Sequence, residues 1–417
     1  MCFEVLFQLK DTTIFATGGE DTTLRIHSLT EQNIRPLNVI RSHISNIRAL
    51  CSISNMDDRC SDENTVWMVS AGGRAQFKIW KAVLLNSDLY EFTTQRSEVT
   101  CREVASHMLR TGSSKTWKSQ EMTLDPETRY MSATAHWVSH TKAFIVLASS
   151  DGFLRMFEFD SEYETVRLLN SQPLNHCVLK VDMVHVHSRS ILLSATTDGN
   201  ISFWEIQHIV DWMYQSHESS LPSFEIKQLI CVKAHQSGIN SIAIYPKIKT
   251  KVEHVLYYLT IASGGDDNKI GICNISIRFE ENQEMVMSAE ERCTAVGHAS
   301  QVTGLSWLST DHLVSTSIDQ RIIVWKLHQS CICMEEQMQT DNGLENEDIQ
   351  SKPGLQNPLK RSDRRSCKHH ASLEVQSSYF TGVPDVKGLS TNNFSVHKRI
   401  FIYGVGLQMY EVENTLL

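Results

Sequence analysis

Short apolar runs that alternate with polar positions recur along the chain and predict a series of β-hairpins. In each hairpin, small residues end one run, a tight turn follows, and a second run alternates, as at 77–80 and 322–325. Alternation with a period of two is typical of a strand with one buried face, and Gly and Asp supply the turn conformations. The turns lie at 16–21, 70–74, 148–152, 194–199, 262–267 and 315–319, with a weaker seventh at Gly404.

A histidine and a further alternating strand precede four of these hairpins, at His43, His176, His235 and His298. Each unit therefore holds four strands and is about 50 residues long, with insertions. A repeat of this length, with His near its start and Trp near its end, resembles the WD-repeat family of β-propellers. The resemblance implies an all-β, seven-bladed WD-repeat propeller with units at about 1–40, 41–94, 126–170, 174–232, 233–296, 297–335 and 377–417.

The last unit is predicted to be incomplete. The first unit begins at Cys2 without a His loop, and 414–417 is too short for an outer strand. A propeller closes by pairing its chain ends in one blade, because closure removes exposed strand edges. We therefore expect the chain to be the C-terminal part of a longer protein, or an isoform of it, whose other residues supply that strand. A lone six- or seven-bladed domain with an open last blade is the alternative.

Two long loop insertions interrupt the repeats. The first, 86–125, includes 97–109, whose spacing and Ser97 cap predict a helix. The second, 331–376, is acidic and then basic, which predicts a disordered loop, with an RNA-contacting arm as the alternative. A shorter apolar pattern at 205–213 predicts one or two helical turns packed on the propeller wall by Ile206, Val210 and Met213.

Composition restricts the possible partners. The chain has 39 Lys and Arg against 48 Asp and Glu, a net charge of −9, so any RNA contact must be a local patch. The longest apolar stretch, 143–148, is too short to span a bilayer, which predicts no membrane association. Eleven cysteines without a CxxC pair favour a reducing compartment, and we expect a cytoplasmic protein.

A metal site is not expected. The cysteines and histidines near the second insertion fit no standard zinc spacing; they are Cys331, Cys333, Cys367, His369 and His370.

The recurring His and Asp residues have a structural role in the WD-repeat family. The resemblance implies that the turn Asp accepts a hydrogen bond from the histidine of its own repeat, giving the pairs His176–Asp198, His235–Asp267 and His298–Asp319. A hydrolase would use the same residue types as catalytic triads. Because the set recurs at fixed offsets, and no nucleotide-binding or HExxH motif is present, the sequence favours a scaffold over an enzyme.

Three strings are more specific than the general repeat. Residues 15–23, GGRAQ at 72–76 and DPETRYM at 125–131 are similar to the C-terminal propeller of the WD repeat-containing protein 6 family. That resemblance implies a non-catalytic subunit paired with an FtsJ-like methyltransferase that 2′-O-methylates the wobble nucleotide of the tRNA anticodon. It also implies that S-adenosylmethionine is bound by the methyltransferase and that this chain has no cofactor. A generic WD-repeat adaptor for protein interactions, without an RNA role, is the alternative.

Two arginines depart from the repeat pattern. Arg74 replaces the turn Asp of the second unit, and Arg129 lies where the third unit lacks its His loop. Both should lie on one face of the disc, where the planar guanidinium fork suits phosphate or carboxylate. Arg74 and Arg129 are thus candidates for binding RNA or the partner. In the alternative, Arg129 pairs with Asp151 and Arg74 is solvated.

Overall fold

The computed structural model describes residues 1–9, 12–30, 33–55, 64–85, 98–109, 127–186, 189–215, 222–251, 254–279, 285–331, 369–392 and 398–412. Within these ranges the alternating runs form seven sheets. In each sheet, neighbouring strands are antiparallel and follow one another along the chain. Six sheets have four such strands, and the seventh has three. The predicted seven-bladed, all-β propeller with an incomplete last blade is confirmed.

Each of the first three sheets is an antiparallel meander. The first sheet contains β1 (Cys2–Gln8), β2 (Thr13–Gly18), β3 (Leu24–Leu29) and β4 (Ile34–Ile40). The second contains β5 (Ile47–Ser52), then, after the short β6 (Ser54–Asn55), β7 (Thr65–Gly72), β8 (Gln76–Leu85) and β9 (Glu98–Met108). The third contains β10 (Tyr130–Trp137), β11 (Lys142–Ser149), β12 (Phe153–Asp160) and β13 (Thr165–Pro173), and β6 pairs in parallel with β10.

The next three sheets repeat the meander. The fourth contains β14 (Val178–Val186), β15 (Arg189–Thr196), β16 (Asn200–Glu205) and β17 (Lys227–Lys233), with helix α1 (Gln207–Gln215) before β17. The fifth contains β18 (Ile239–Lys251), β19 (His254–Gly265), β20 (Lys269–Phe279) and β21 (Met285–Val296). The sixth contains β22 (Val302–Trp307), β23 (His312–Ser317), β24 (Arg321–Cys331) and β25 (His369–Phe380).

The seventh sheet contains β26 (Gly388–Asn392), β27 (Lys398–Gly404) and β28 (Gly406–Val412). Its apolar side chains pack on both neighbours: Ile400 and Ile402 lie with Ile322 of the sixth sheet, and Phe401 stacks on Phe3 of the first, with ring centroids 5.3 Å apart. Apolar clusters of this kind fill the spaces between the other neighbouring sheets as well. Burial of apolar surface between sheets therefore holds the ring together.

One predicted element is wrong. The described part of the predicted helix at 97–109 is not helical: 98–108 are β9, which pairs with β8 along its whole length as the outer strand of the second sheet. Val99 is buried against the first sheet, and Glu103 accepts a bond from Lys78 of β8. Pairing with a neighbouring strand thus overrides the helix-like spacing, and part of the predicted insertion belongs to the propeller. The rest of that insertion, 86–97 and 110–125, lies outside the described residues.

The second predicted insertion also overlaps the sheets. Its first residue, Cys331, ends β24, and 369–376 are part of β25, the outer strand of the sixth sheet, which continues to Phe380. The remainder, for which we predicted disorder, lies outside the described residues. Helix α1 appears where the sequence predicted it: Ile206, just before the helix, and Met213 pack in the apolar cluster between the third and fourth sheets, and Val210 is buried. Among the described residues, no helix has the length and apolar character needed to cross a membrane.

Candidate functional site

The recurring His and Asp residues lie at one end of the strands. In the sixth sheet Val302, at the start of β22, pairs with Ser317, at the end of β23, so the His loop before β22 and the Asp turn after β23 are adjacent. The other complete units have the same order of strands. We call this end of the propeller, with its His loops and Asp turns, the turn face.

The sixth sheet shows the complete hydrogen-bonded chain. His298 Nδ1 lies 3.1 Å from Asp319 Oδ2, and its Nε2 lies 2.7 Å from Ser315 Oγ. Trp325 Nε1 donates to the same Ser315 Oγ at 2.7 Å. Burial lowers the pKa of His298, and nearby Asp319 opposes that shift. The chain joins a loop, a turn and two strands, and its side chains are withdrawn from solvent.

The fifth and second sheets contain partial versions of this chain. His235 Nδ1 lies 2.8 Å from Asp267 Oδ1 and Nε2 lies 2.9 Å from Ser263 Oγ. In the second sheet His43 bonds Ser70 at 2.6 Å, and Trp80 donates to Ser70 at 2.7 Å. Because Arg74 occupies the turn, His43 lacks an acidic partner there. Burial, reinforced by the charge of Lys78, lowers the pKa of His43 to about 4.

The predicted pair of the fourth sheet is loose. His176 Nε2 lies 3.7 Å from Asp198 Oδ2, and about half of the histidine side chain is exposed. Asp198 instead accepts bonds within its own turn, from Thr196 Oγ1 and Asn200 Nδ2. Although burial raises the pKa of Asp198, these bonds and the nearby charges lower it overall. Trp204 Nε1 donates to Ser194 Oγ at 2.9 Å, so the fourth sheet keeps the bond between Trp and Ser, and the histidine is the group that does not join it.

The third sheet holds a residue that the sequence analysis missed. Asp151 does not pair with Arg129; Arg155 binds it through two bonds, of 3.0 Å and 2.6 Å, and also donates to Ser149. Arg155 is 5% exposed. The first sheet, which also lacks a His loop, has the same spacing in Asp21 and Arg25. The sequence signal for this contact is an Arg four residues after the turn Asp in a unit that lacks the histidine.

Arg74 and Arg129 are neighbours on the turn face. Gly73 forms an antiparallel bridge with Arg129, and Ala75 N donates to Thr128 O at 2.9 Å. The backbone of Arg129 is fixed by Ser150, which donates to its carbonyl at 2.9 Å. Arg74 has a φ of 56°, in the left-handed region, and both arginines are exposed. Within the described part of the chain, neither guanidinium has an ion pair or a hydrogen bond.

Two further arginines lie in the loop before the second sheet and in its first strand. Arg41 is exposed in the loop after β4, and Arg48 is at the start of β5, where its buried Nε has no partner among the described residues. The nearest turn acid, Asp151, is neutralised by Arg155. Arg74 and Arg129 therefore lie at the boundary between the second and third sheets, where the carboxylate of Asp151 is already bonded to Arg155.

The described residues contain no group of three or more His, Cys, Asp or Glu arranged to hold a metal. Of the cysteines and histidines considered for zinc, Cys331 pairs with His369 across β24 and β25. Cys333 and Cys367 lie outside the described residues.

Comparison with known proteins agrees with this architecture. The family model described as WD domain, G-beta repeat, matches residues 291–326, which include His298, Asp319 and Trp325. With seven sheets and the hydrogen-bonded chain of the sixth, the protein is a WD-repeat β-propeller.

The chain is also a homologue of proteins named tRNA (34-2'-O)-methyltransferase regulator WDR6, as its resemblance to the WD repeat-containing protein 6 family predicted. It is 30% identical to the Mus musculus protein over 353 residues and 29% identical to the Homo sapiens protein over 355, each 76% of this chain and 30% of the relative. The Drosophila melanogaster protein is 22% identical over 404 residues, 96% of this chain and 32% of that protein. The chain thus spans about a third of the length of these relatives.

Proposed function

We propose that the chain is a non-catalytic WD-repeat scaffold that pairs with an FtsJ-like methyltransferase for 2′-O-methylation of the tRNA anticodon wobble nucleotide. The printed names of the relatives, regulators of a tRNA (34-2'-O)-methyltransferase, support the methylation role. In this proposal the methyltransferase binds S-adenosylmethionine, tRNA is contacted through the complex, and the complex works in the cytoplasm.

The observation that carries the RNA part of the proposal is the free arginine pair. Arg74 and Arg129 are held side by side by the Gly73–Arg129 bridge, exposed and without acidic partners among the described residues. A guanidinium fork binds phosphate through two parallel bonds. Arg155, by neutralising Asp151, keeps that carboxylate from competing for Arg129.

The buried state of the His–Asp–Ser chains supports a scaffold rather than a hydrolase. The side chains of His235 and His298 have no exposed surface, and both ring nitrogens of each already bond Asp and Ser. A nucleophile and its base must reach a substrate. The His, Asp and Ser side chains of the fifth and sixth sheets bond to one another instead.

Co-purification tests the partner. The tagged chain is expressed with an FtsJ-like tRNA methyltransferase, and we expect the two to elute together and to retain tRNA. Failure of the methyltransferase to co-purify would contradict the proposed pairing and favour the generic adaptor. If the methyltransferase co-purifies but tRNA retention does not depend on Arg74 and Arg129, only the proposed RNA contact is contradicted.

The control for the RNA contact is Arg278→Glu. Arg278 is an exposed arginine near the end of β20 that lies away from the turn face. Arg278→Glu changes the net charge of the complex by the same amount as Arg74→Glu or Arg129→Glu. A contact at the turn face requires that only the latter two changes weaken tRNA retention.

A further inference from the structure

The turn between β7 and β8 differs from the equivalent turns in its backbone. In the described turns that carry a turn Asp, a positive φ occurs once, at the residue after that Asp: Thr22, Gly152, Gly199, Asn268 and Gln320. In the second unit the equivalent residue, Ala75, has a φ of 45°, and Arg74 before it has a φ of 56°. A residue with a Cβ avoids the left-handed region unless its surroundings impose it, so two in succession need a physical cause.

Contacts on several sides impose this conformation. Ala75 is buried, its N–H donates to Thr128 O at 2.9 Å, and its carbonyl accepts from Leu109 N at 3.2 Å. A Cβ added at Gly73 would lie 2.2 Å from Ser45 Oγ, so glycine is needed for the turn to approach the His loop this closely. The turn is therefore fixed between the His loop, the end of β9 and the segment before β10.

Gln76 performs in this unit the structural task that the turn Asp performs elsewhere. In the fifth unit the backbone N–H after the loop histidine, that of Gln236, donates to Asp267 Oδ2 at 3.2 Å, and the sixth unit has the same bond to Asp319. In the second unit the equivalent N–H, that of Ile44, donates to Gln76 Oε1 at 3.1 Å. Gln76 is buried. The loop is thus held without the residue at the turn-Asp position.

This exchange frees the turn-Asp position for another use. The side chains of Asp267 and Asp319 are 11% and 8% exposed, because they bond to the loops that they hold. Arg74, at the same position, is exposed. The next unit frees Arg129 in a parallel way, since Arg155 binds the turn Asp there. Two unrelated replacements in adjacent units thus free two arginines whose backbones lie side by side.

We propose that Gln76 is a positioning residue for RNA binding: it ties the turn to the His loop, so that the turn presents Arg74 to a tRNA phosphate beside Arg129. The inference rests on the proposed function, because it takes the contact of both arginines with tRNA as given. Gln76 also closes the turn, since its N–H donates to Gly73 O at 3.4 Å. A backbone fixed before binding lowers the ordering cost of the contact, and backbone strain is typical of sites that need such preorganisation.

Gln76→Ala tests the proposal, and Asp267→Ala is the matched control. Each variant removes the acceptor of one loop N–H, and Asp267 lies in the fifth unit, away from the boundary between the second and third sheets. The complex with the methyltransferase is titrated with tRNA at several salt concentrations, below the melting temperature of each variant. Gln76→Ala should weaken tRNA binding at least threefold and make the slope of log K against log salt shallower, by up to about 0.7 to 0.9. Asp267→Ala should lower the melting temperature without weakening binding or making the slope shallower.

Ala75→Gly is the second variant, used if Gln76→Ala does not fold. Glycine adopts a left-handed φ without strain but also reaches other conformations, so Arg74 is kept but held less firmly, and tRNA binding should weaken at least twofold. The positioning role is overturned if Gln76→Ala, or Ala75→Gly in its place, binds tRNA like the unchanged chain while charge reversal at Arg74 and Arg129 weakens binding. If that charge reversal leaves binding unaltered, the RNA contact of the proposed function fails, and the positioning role fails with it.

Discussion

Arg155 of β12 donates from both terminal nitrogens to the carboxylate of the turn residue Asp151, at 3.0 Å and 2.6 Å. In the sixth sheet a histidine from the preceding loop binds the turn Asp instead. The third sheet therefore replaces a contact between loop and turn with one between strand and turn. The replacement leaves Arg129 without an acidic partner among the described residues, so Arg74 and Arg129 are both unpaired within the described part of the turn face.

Removing Arg155 should destabilise the protein strongly. Arg155→Ala removes a guanidinium that is 5% exposed and leaves Asp151 and Ser149 without its bonds, which we expect to lower the free energy of unfolding by about 3 kcal/mol. Arg25→Ala is the matched control, because Arg25 holds Asp21 with the same spacing but both side chains are more than a third exposed. The control should cost less than about 1 kcal/mol. Denaturant unfolding measures both, and equal losses would show that burial of the pair is not what matters.

Asp319→Ala should also destabilise the fold. It removes the acceptor for His298 Nδ1 and for the backbone N–H of Ala299, at an expected cost of about 1 to 3 kcal/mol. Glu20→Ala should be nearly silent, because Asp21 accepts the turn bonds in the first sheet. Unchanged thermal stability of Asp319→Ala would show that this pair is not structural.

The pH dependence of stability should include a contribution from His43. The folded pKa of His43 is about 4, below the value of about 6.5 for an unfolded histidine. Between these values the unfolded chain binds the proton and the folded chain does not, so stability falls as the pH falls from 6.5 toward 4. The full difference is about 3 kcal/mol.

The variant His43→Gln isolates that contribution. Gln can still donate to Ser70 but does not titrate, so its unfolding free energy should fall less between pH 7 and pH 4 than that of the unchanged chain. Chemical denaturation at a series of pH values measures the difference. Parallel curves for the two proteins would mean that His43 is not kept neutral by the fold.

Charge reversal at the arginine pair should change RNA binding without changing stability. Arg74→Glu with Arg129→Glu removes two proposed phosphate contacts, so tRNA retention by the assembled complex should weaken. The slope of log K against log salt should become shallower by about 0.7 to 0.9 per lost contact. The melting temperature should barely move, because both side chains are exposed and neither binds a described residue. A lower melting temperature with an unaltered salt slope would contradict the RNA contact.

The repeat pattern was sufficient to predict the ring of sheets, because it depends on local chemistry. Alternation, Gly and Asp turns, and the spacing from His298 to Trp325 recur in each unit and are legible without knowing what packs against them. Residues 98–108 are the contrary case. Their spacing fits a helix, and they are a strand because the edge of β8 offers a full set of backbone partners. A propensity of a few tenths of a kcal/mol per residue does not outweigh that pairing.

The sequence by itself determined the fold class, the number of blades, the open last blade and the resemblance to the WD repeat-containing protein 6 family. The tertiary structure alone decided which side chains meet: that Arg155 rather than Arg129 holds Asp151, that His176 stays 3.7 Å from Asp198, and that Arg74 and Arg129 are neighbours. Repeats encode strands through periodicity within about ten residues. Partners of single charged groups depend instead on how neighbouring sheets and loops approach each other, and a long, flexible arginine side chain can reach several acids from one position.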